Sequence, residues 1–393
     1  MKNETLLDPD RALLEIEAIR LTHRSDRVPI MEACGRVLAE PIRARIDSPP
    51  FAKAAMDGFA VRGDDKAARY RLVETVAAGD VPQKAIDAGE CCKIMTGAMM
   101  PRGADKVIRV EYTLEEAGRV TVTEPEPRGN VIARGENMRA GESLLGPKVL
   151  TAQDVGVLAS QGIDSVQVAE APLVGIIATG NELCNGGAEL EPGQIYNSNG
   201  PQLCAQVASM HGRYRYHGSV TDDRDKLAKV IDGALQECDI ILLSGGVSMG
   251  ELDFVPDVLT RFGAAIRFHK LAIKPGKPTL FAQKEDKFIF GLPGNPVSTF
   301  VIFEVFVKPF LYRWMGIQYS PRLVRGVLSA AIQRRDAERL EFRPVYLRGE
   351  VVHPLTYHGS SHLSALREAE GMIRIERGVA VLQEGAELDV RLF

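Results

Sequence analysis

Apolar residues at Leu13, Leu14, Ile16 and Ile19 follow Asp8-Pro9 at helical spacing, so a first helix is predicted from Pro9 to about Leu21, capped by Asp8. A small helix is expected around Glu32–Glu40, before Pro41. Between about Val61 and Glu126 the pattern changes to short β-prone runs, Arg71–Val76, Lys106–Val110 and Arg119–Thr123, broken by Gly and Pro. A helix is predicted between Thr151 and Gly162. From Leu173 onward apolar runs alternate with amphipathic stretches: strands at Leu173–Ala178, Tyr214–Val220 and Ile240–Leu243, helices near Gln202–Met210, Asp225–Cys238 and Val255–Arg261. Such alternation predicts parallel strands with right-handed crossovers. A last helix is expected from Pro296 through Trp314, and after Pro321 short β segments return at Leu323–Leu328, Phe342–Val352 and Val379–Leu382.

The expected fold is therefore multidomain α/β plus β: a central three-layer α/β domain with a mostly parallel sheet, a β-rich insert before it, and a C-terminal β-barrel-like domain. A length of 393 residues agrees with two to four domains. With 45% hydrophobic and 25% charged residues the composition is that of a soluble globular protein. No apolar run approaches the roughly 20 residues of a membrane-spanning helix, and Met1–Asp8 lacks the apolar core of a signal peptide, so a cytoplasmic location and no membrane partner are expected. The net charge of −4 argues against nucleic acid. The six cysteines show no Cys-x-x-Cys spacing, which excludes an ordinary zinc-thiolate site. Adjacent Cys91 and Cys92 would face opposite sides of a strand as buried thiols.

Three loops carry the chemistry. The run Ile240–Leu243 ends in Ser244-Gly245-Gly246-Val247-Ser248-Met249-Gly250-Glu251-Leu252-Asp253, where glycines let backbone N–H groups approach an anion. Lys274-Pro-Gly-Lys277-Pro278 and Gly291-Leu-Pro293-Gly294-Asn295-Pro296 follow. Thr179-Gly180-Asn181-Glu182 sits at the same expected sheet edge. Glu182, Asp222, Glu251 and Asp253 all fall at strand ends, a carboxylate set suited to Mg²⁺, while Lys270, Lys274 and Lys277 gather ammonium groups for a phosphorylated substrate. Glycine-rich nucleotide motifs of the P-loop and dinucleotide types are absent.

Together with Met56-Asp57-Gly58-Phe59-Ala60 and Ile94-Met-Thr96-Gly97-Ala98, these motifs resemble, in order and over nearly the whole chain, the molybdopterin molybdenumtransferases, the MoeA family that includes the gephyrin E-domain. The resemblance implies insertion of molybdate into adenylylated molybdopterin, with Mg²⁺-dependent release of AMP. It implies a homodimer in which the domain carrying Asp57 and Thr96 completes the partner subunit's cleft, and a docking adenylyltransferase and molybdoenzyme chaperones as further partners. The family's plan divides this chain into a discontinuous elongated dimerisation domain (1–54 and 135–171), a β-rich insert (55–134), a molybdopterin-binding α/β domain (172–318) and a C-terminal β-domain (319–393). Carried over residue by residue, Asp57, Thr96, Lys270, Lys274 and Asp253 are expected to act in catalysis and Glu182, Asp222 and Asp253 to hold metal. Ser244, Gly245, Gly246, Ser248, Lys277, Pro293, Gly294 and Pro296 would bind substrate, with Arg343 and Ser360 as looser matches. Asn181 and Asn137 stand where the family often has Asp, and Ala54 where it often has Ser. A molybdopterin adenylyltransferase and a non-catalytic scaffold on the same fold stay open as alternatives.

Overall fold

The computed structural model describes residues 6–247, 254–356 and 358–393, and the chain divides into two compact units. One comprises Val28–Cys34 and Glu40–Val166, the other Met1–Arg27, Gly35–Ala39 and Gln167–Phe393.

The first of these is built on a six-stranded sheet in the order Lys106–Arg109, Gly58–Val61, Glu90–Ile94, Arg69–Val76, Arg119–Val122, Thr113–Glu116. Its last two strands form a hairpin whose two turn residues, Ala117 and Gly118, both have positive φ, as the turn that matches strand twist requires. Alternation sends Cys92 into one apolar cluster with Ala60, Val76 and Val107, and Cys91 into another with Phe59, Tyr70 and Val120. Both are buried free thiols on opposite faces, as the spacing predicts. The same unit holds helix Ala152–Ser160, opened by a reciprocal capping box between Thr151 and Asp154.

In the other unit the helix Pro9–Glu17 ends four residues before the expected Leu21, with Asp8 accepting the Asp10 N–H at 3.0 Å. No helix spans Glu32–Glu40. A single 3₁₀ turn at Ile30–Glu32, part of the first unit, ends there, and Gly35 has φ +80°, which a right-handed helix does not contain.

The core of this unit is a six-stranded sheet. Its strands in chain order are β1 (Leu173–Thr179), β2 (Arg213–Val220), β3 (Ile240–Ser244), β4 (Ala265–His269), β5 (Leu280–Lys284) and β6 (Lys287–Leu292). They lie side by side as β2-β1-β3-β6-β5-β4, the first four parallel and β5 antiparallel to both its neighbours. Ile177, Ile241, Leu243 and Ile289 pack on one face against Leu227, Ile231 and Leu235 of helix Arg224–Glu237. On the other face Phe281, Phe288 and Phe290 surround Phe310, with ring centroids 5.0–5.9 Å from it. Buried on both sides, β3 and β6 are therefore continuous apolar runs.

Phe310 belongs to the last long helical segment, which runs from Pro296 to Trp314 but contains a π-helical turn at Phe303–Val307. Pro309 has no N–H to donate backward, and the wider turn before it accommodates that loss. The buried carbonyl of Glu304 instead accepts a hydrogen bond from the Arg391 guanidinium. Arg391 belongs to a closed five-stranded barrel made of Leu323–Leu328, Leu340–Arg348, Val351–Pro354, Gly371–Ile375 and Glu387–Leu392. The two-residue strand Ile273–Lys274 joins this barrel in parallel, Lys274 opposite Glu341.

Candidate functional site

Because β2 lies outside β1 while β3 lies on β1's other side, successive connections leave the sheet in opposite directions and open a crevice at the carboxyl ends of β1 and β3. A cavity of about 990 Å³ occupies this place. Its floor is formed by Thr179-Gly180 after β1, Ser244-Gly245-Gly246 after β3 and Pro293-Gly294 after β6.

Glycine is demanded here by close approach. At Gly245, with φ +94°, a β-carbon would lie 2.4 Å from the Thr179 carbonyl oxygen and 2.8 Å from its hydroxyl. At Gly180 it is the backbone, with φ +153°, that favours glycine; the exposed Glu182 carboxylate 2.6 Å from an added β-carbon could swing away. Asn199 ties two loops together: its Nδ2 donates to Ser244 Oγ and to the Gly294 carbonyl, both at 2.7 Å. The second of these, Pro293–Pro296, is also tied to the barrel side, where Asn295 Nδ2 donates to Ser360 Oγ at 2.8 Å and the Val297 N–H to the Ser360 carbonyl at 3.0 Å.

Charged groups of both signs reach the cavity. Glu182 and Asp222 supply carboxylates; Lys274, Lys277 and Arg339 supply cations. Asp222 is held through a reciprocal pair with Asn181: the Asn181 N–H donates to Asp222 Oδ2 at 3.2 Å, and the Asp222 N–H to Asn181 Oδ1 at 2.9 Å. An asparagine at 181 makes this link without adding a second negative charge. Among the described residues no three His, Cys, Asp or Glu side chains gather closely enough to enclose a metal ion. Two carboxylates in a cavity that lysines also line nevertheless suit Mg²⁺, which binds through one or two carboxylates and completes its octahedron with water and substrate phosphates.

Of the residues expected from sequence, Ser244, Gly245, Gly246, Lys274, Lys277, Pro293, Gly294, Pro296, Ser360, Glu182 and Asp222 line the cavity. Ser248 and Asp253 lie outside the described residues. Lys270 does not line it: with φ +72° and 8% exposure, its backbone N–H bonds to the Thr279 carbonyl at 2.8 Å. Arg343 also stays off the wall, 3.9 Å from Glu341. Arg339, four residues earlier, is the barrel's arginine at the cavity, its Nε and Nη2 on Asp336 at 3.2 and 2.8 Å. Neither Arg339 nor Asn199 was singled out from sequence, because no local spacing marks them.

Asp57 and Thr96 lie in the other unit and meet each other there. The Thr96 N–H and hydroxyl donate to one oxygen of Asp57, at 2.6 and 2.8 Å. These two hydrogen bonds hold the exposed Asp57 carboxyl below its usual range.

The chain resembles known proteins over its full length. Residues 7–162 match the "MoeA N-terminal region (domain I and II)", 175–313 a "Probable molybdopterin binding domain", and 325–393 the "MoeA C-terminal region (domain IV)". A molybdopterin molybdenumtransferase of Staphylococcus epidermidis is 32% identical over 408 residues, covering 100% of this chain and 97% of the relative. One of Bacillus subtilis is 32% identical over 414 residues, covering 100% and 95%. Among solved structures, the molybdopterin biosynthesis moeA protein of Pyrococcus horikoshii superposes with a TM-score of 0.87 at 32% identity, over 99% of this chain and 100% of that one.

Proposed function

The chain belongs to the MoeA family of molybdopterin molybdenumtransferases, acting in molybdenum cofactor biosynthesis, and from that premise we propose that its cavity inserts molybdate into adenylylated molybdopterin and releases AMP. The observation that supports this most directly is the meeting of two carboxylates and three cations over the glycine loops at one sheet edge.

In this reading Lys274, Lys277 and Arg339 receive the oxyanions, molybdate and phosphate, and offset negative charge as the phosphoanhydride breaks at phosphorus, with an oxygen nucleophile entering and AMP leaving. Backbone N–H groups of Gly246 and Gly294 cradle the substrate's phosphate end. Glu182 and Asp222, with Asp253, are the residues that would hold Mg²⁺. Bound there, the ion supplies Lewis-acid polarisation of a phosphoryl oxygen. Ser360 orients substrate from the barrel side. Lys270 and Arg343 act from behind the wall, Lys270 beside the Lys274–Pro278 loop and Arg343 from barrel strand Leu340–Arg348. Asp57 and Thr96 act on the cleft of a partner subunit in a homodimer, and within its two compact units the chain carries the four domains that the family's plan implies. A cytoplasmic enzyme receiving its substrate from an adenylyltransferase completes the proposal; no described helix is long and apolar enough to cross a membrane.

Purified protein incubated with adenylylated molybdopterin, molybdate and Mg²⁺ is expected to release AMP in step with cofactor formation. Absence of AMP under conditions where a family member turns over sinks the reading.

A further inference from the structure

We propose that Glu341 is the positioning residue for Lys274: it fixes the lysine ammonium at one point of the cavity wall so that the oxyanion meets it in a single geometry. The proposal rests on the reading of Lys274 as an oxyanion contact.

Backbone pairing sets the two residues opposite each other, since strand Ile273–Lys274 runs parallel to the start of barrel strand Leu340–Arg348 in the register Lys274 to Glu341. The side chains then meet, Lys274 Nζ lying 3.3 Å from Glu341 Oε2. Glu341 is buried to 4% side-chain exposure, whereas Lys274 keeps 38% and reaches the cavity.

What fixes the carboxylate is Arg334, at 1% exposure, whose Nε donates to the same Oε2 at 3.0 Å. Arg334 is itself immobilised: its Nη1 donates to the carbonyls of Glu376 and Val379, each at 2.8 Å, and its Nη2 to that of Arg339. Arg334 holds the carboxylate from the buried side, so its position does not depend on Lys274. The contact therefore acts in the other direction. A lysine head on a four-carbon stem is otherwise free to rotate, and a carboxylate locked from behind selects one of its positions. Arg343 Nη1 lies 3.9 Å from the other oxygen, so three cations surround one carboxylate.

The test uses the full chain and AMP release from adenylylated molybdopterin, comparing Glu341→Gln, Lys274→Met and the double variant, with the thermal midpoint measured for each. Glu341→Gln is expected to lower kcat on the order of 10²-fold, the loss typical of a misplaced group. KM for molybdate stays equal or falls, because the wall gains positive charge. The double variant is expected to be no slower than Lys274→Met, since Glu341 acts through Lys274. Additive losses in the double variant, or a loss confined to KM, overturn the proposal. Should Glu341→Gln fail to fold, Glu341→Asp keeps the charge beside Arg334 while withdrawing it from Lys274. It should show the same kcat-only loss, and wild-type turnover by a folded Glu341→Asp overturns the proposal. If Lys274→Met is itself as fast as wild type, the reading of Lys274 fails, and this inference with it.

Discussion

One oxygen of Asp57 accepts two hydrogen bonds from Thr96, from the backbone N–H at 2.6 Å and from the hydroxyl at 2.8 Å. Both favour the ionised carboxylate, so its folded-state titration lies below the unfolded one. The sign follows: the stabilisation is present above the unfolded pKa and is lost as pH falls through the depressed folded value. In Thr96→Val the hydroxyl donor disappears, and the Asp57 carboxyl is expected to titrate at higher pH, closer to an ordinary aspartate. NMR titration of the Asp57 side chain reads this directly; an unchanged midpoint contradicts it.

Gly245 is confined both by φ +94° and by the Thr179 carbonyl 2.4 Å from where a β-carbon would stand. Gly245→Ala is expected to destabilise the fold by about 1–3 kcal/mol and to depress AMP release beyond what that loss explains. Gly263→Ala is the control: φ is +74° there, but nothing lies within 4 Å of the added carbon. Its cost should be confined to about 1–2 kcal/mol of left-handed strain, with turnover retained. Chemical denaturation and initial rates on both variants separate strain from damage at the cavity.

Chelation of divalent cations should stop AMP release, and Mg²⁺ should restore it. Glu182→Gln and Asp222→Asn are each expected to raise the Mg²⁺ concentration for half-maximal turnover by roughly tenfold or more. A Mg²⁺ titration of turnover that is identical in wild type and both variants would remove these two residues from the metal set.

Burial pushes the thiols of Cys91 and Cys92 up to about 12, so both remain protonated at pH 8. Cys34 is exposed. A thiol-specific reagent at that pH is expected to modify Cys34 first, and Cys91 and Cys92 only after unfolding, as peptide mapping by mass spectrometry would report.

How much of this was legible in the sequence depends on the range of the interaction. The doubly buried strands β1 and β3 announce themselves as apolar runs, and helix Val255–Arg261 has the expected bounds, because local burial patterns encode both. The strand at Ala265–His269 escaped notice. It is a half-exposed edge with Arg267 in its middle, and antiparallel partners 11–18 residues away define it. The expected helix at Glu32–Glu40 failed because Gly35 takes φ +80°, a left-handed conformation that a right-handed helix does not contain. In the site, loop motifs exposed their own glycines, prolines and lysines. Asn199 and Ser244 are 45 residues apart, Lys274 and Glu341 67 apart, and neither pair leaves a trace in spacing. Lys270 is a further case: nothing in its spacing announces the left-handed φ and the backbone bond to the Thr279 carbonyl that set its backbone within the packed protein.

The parallel graft of Ile273–Lys274 onto the barrel matters for anyone exchanging parts between homologues. A chimera that imports a foreign barrel leaves the lysine loop beside a strand it did not evolve with. Transplants that keep the Lys274–Pro278 turn and the Arg334–Arg343 stretch from one parent should stay soluble and active together. Those that split the two should yield well-folded halves with an idle centre.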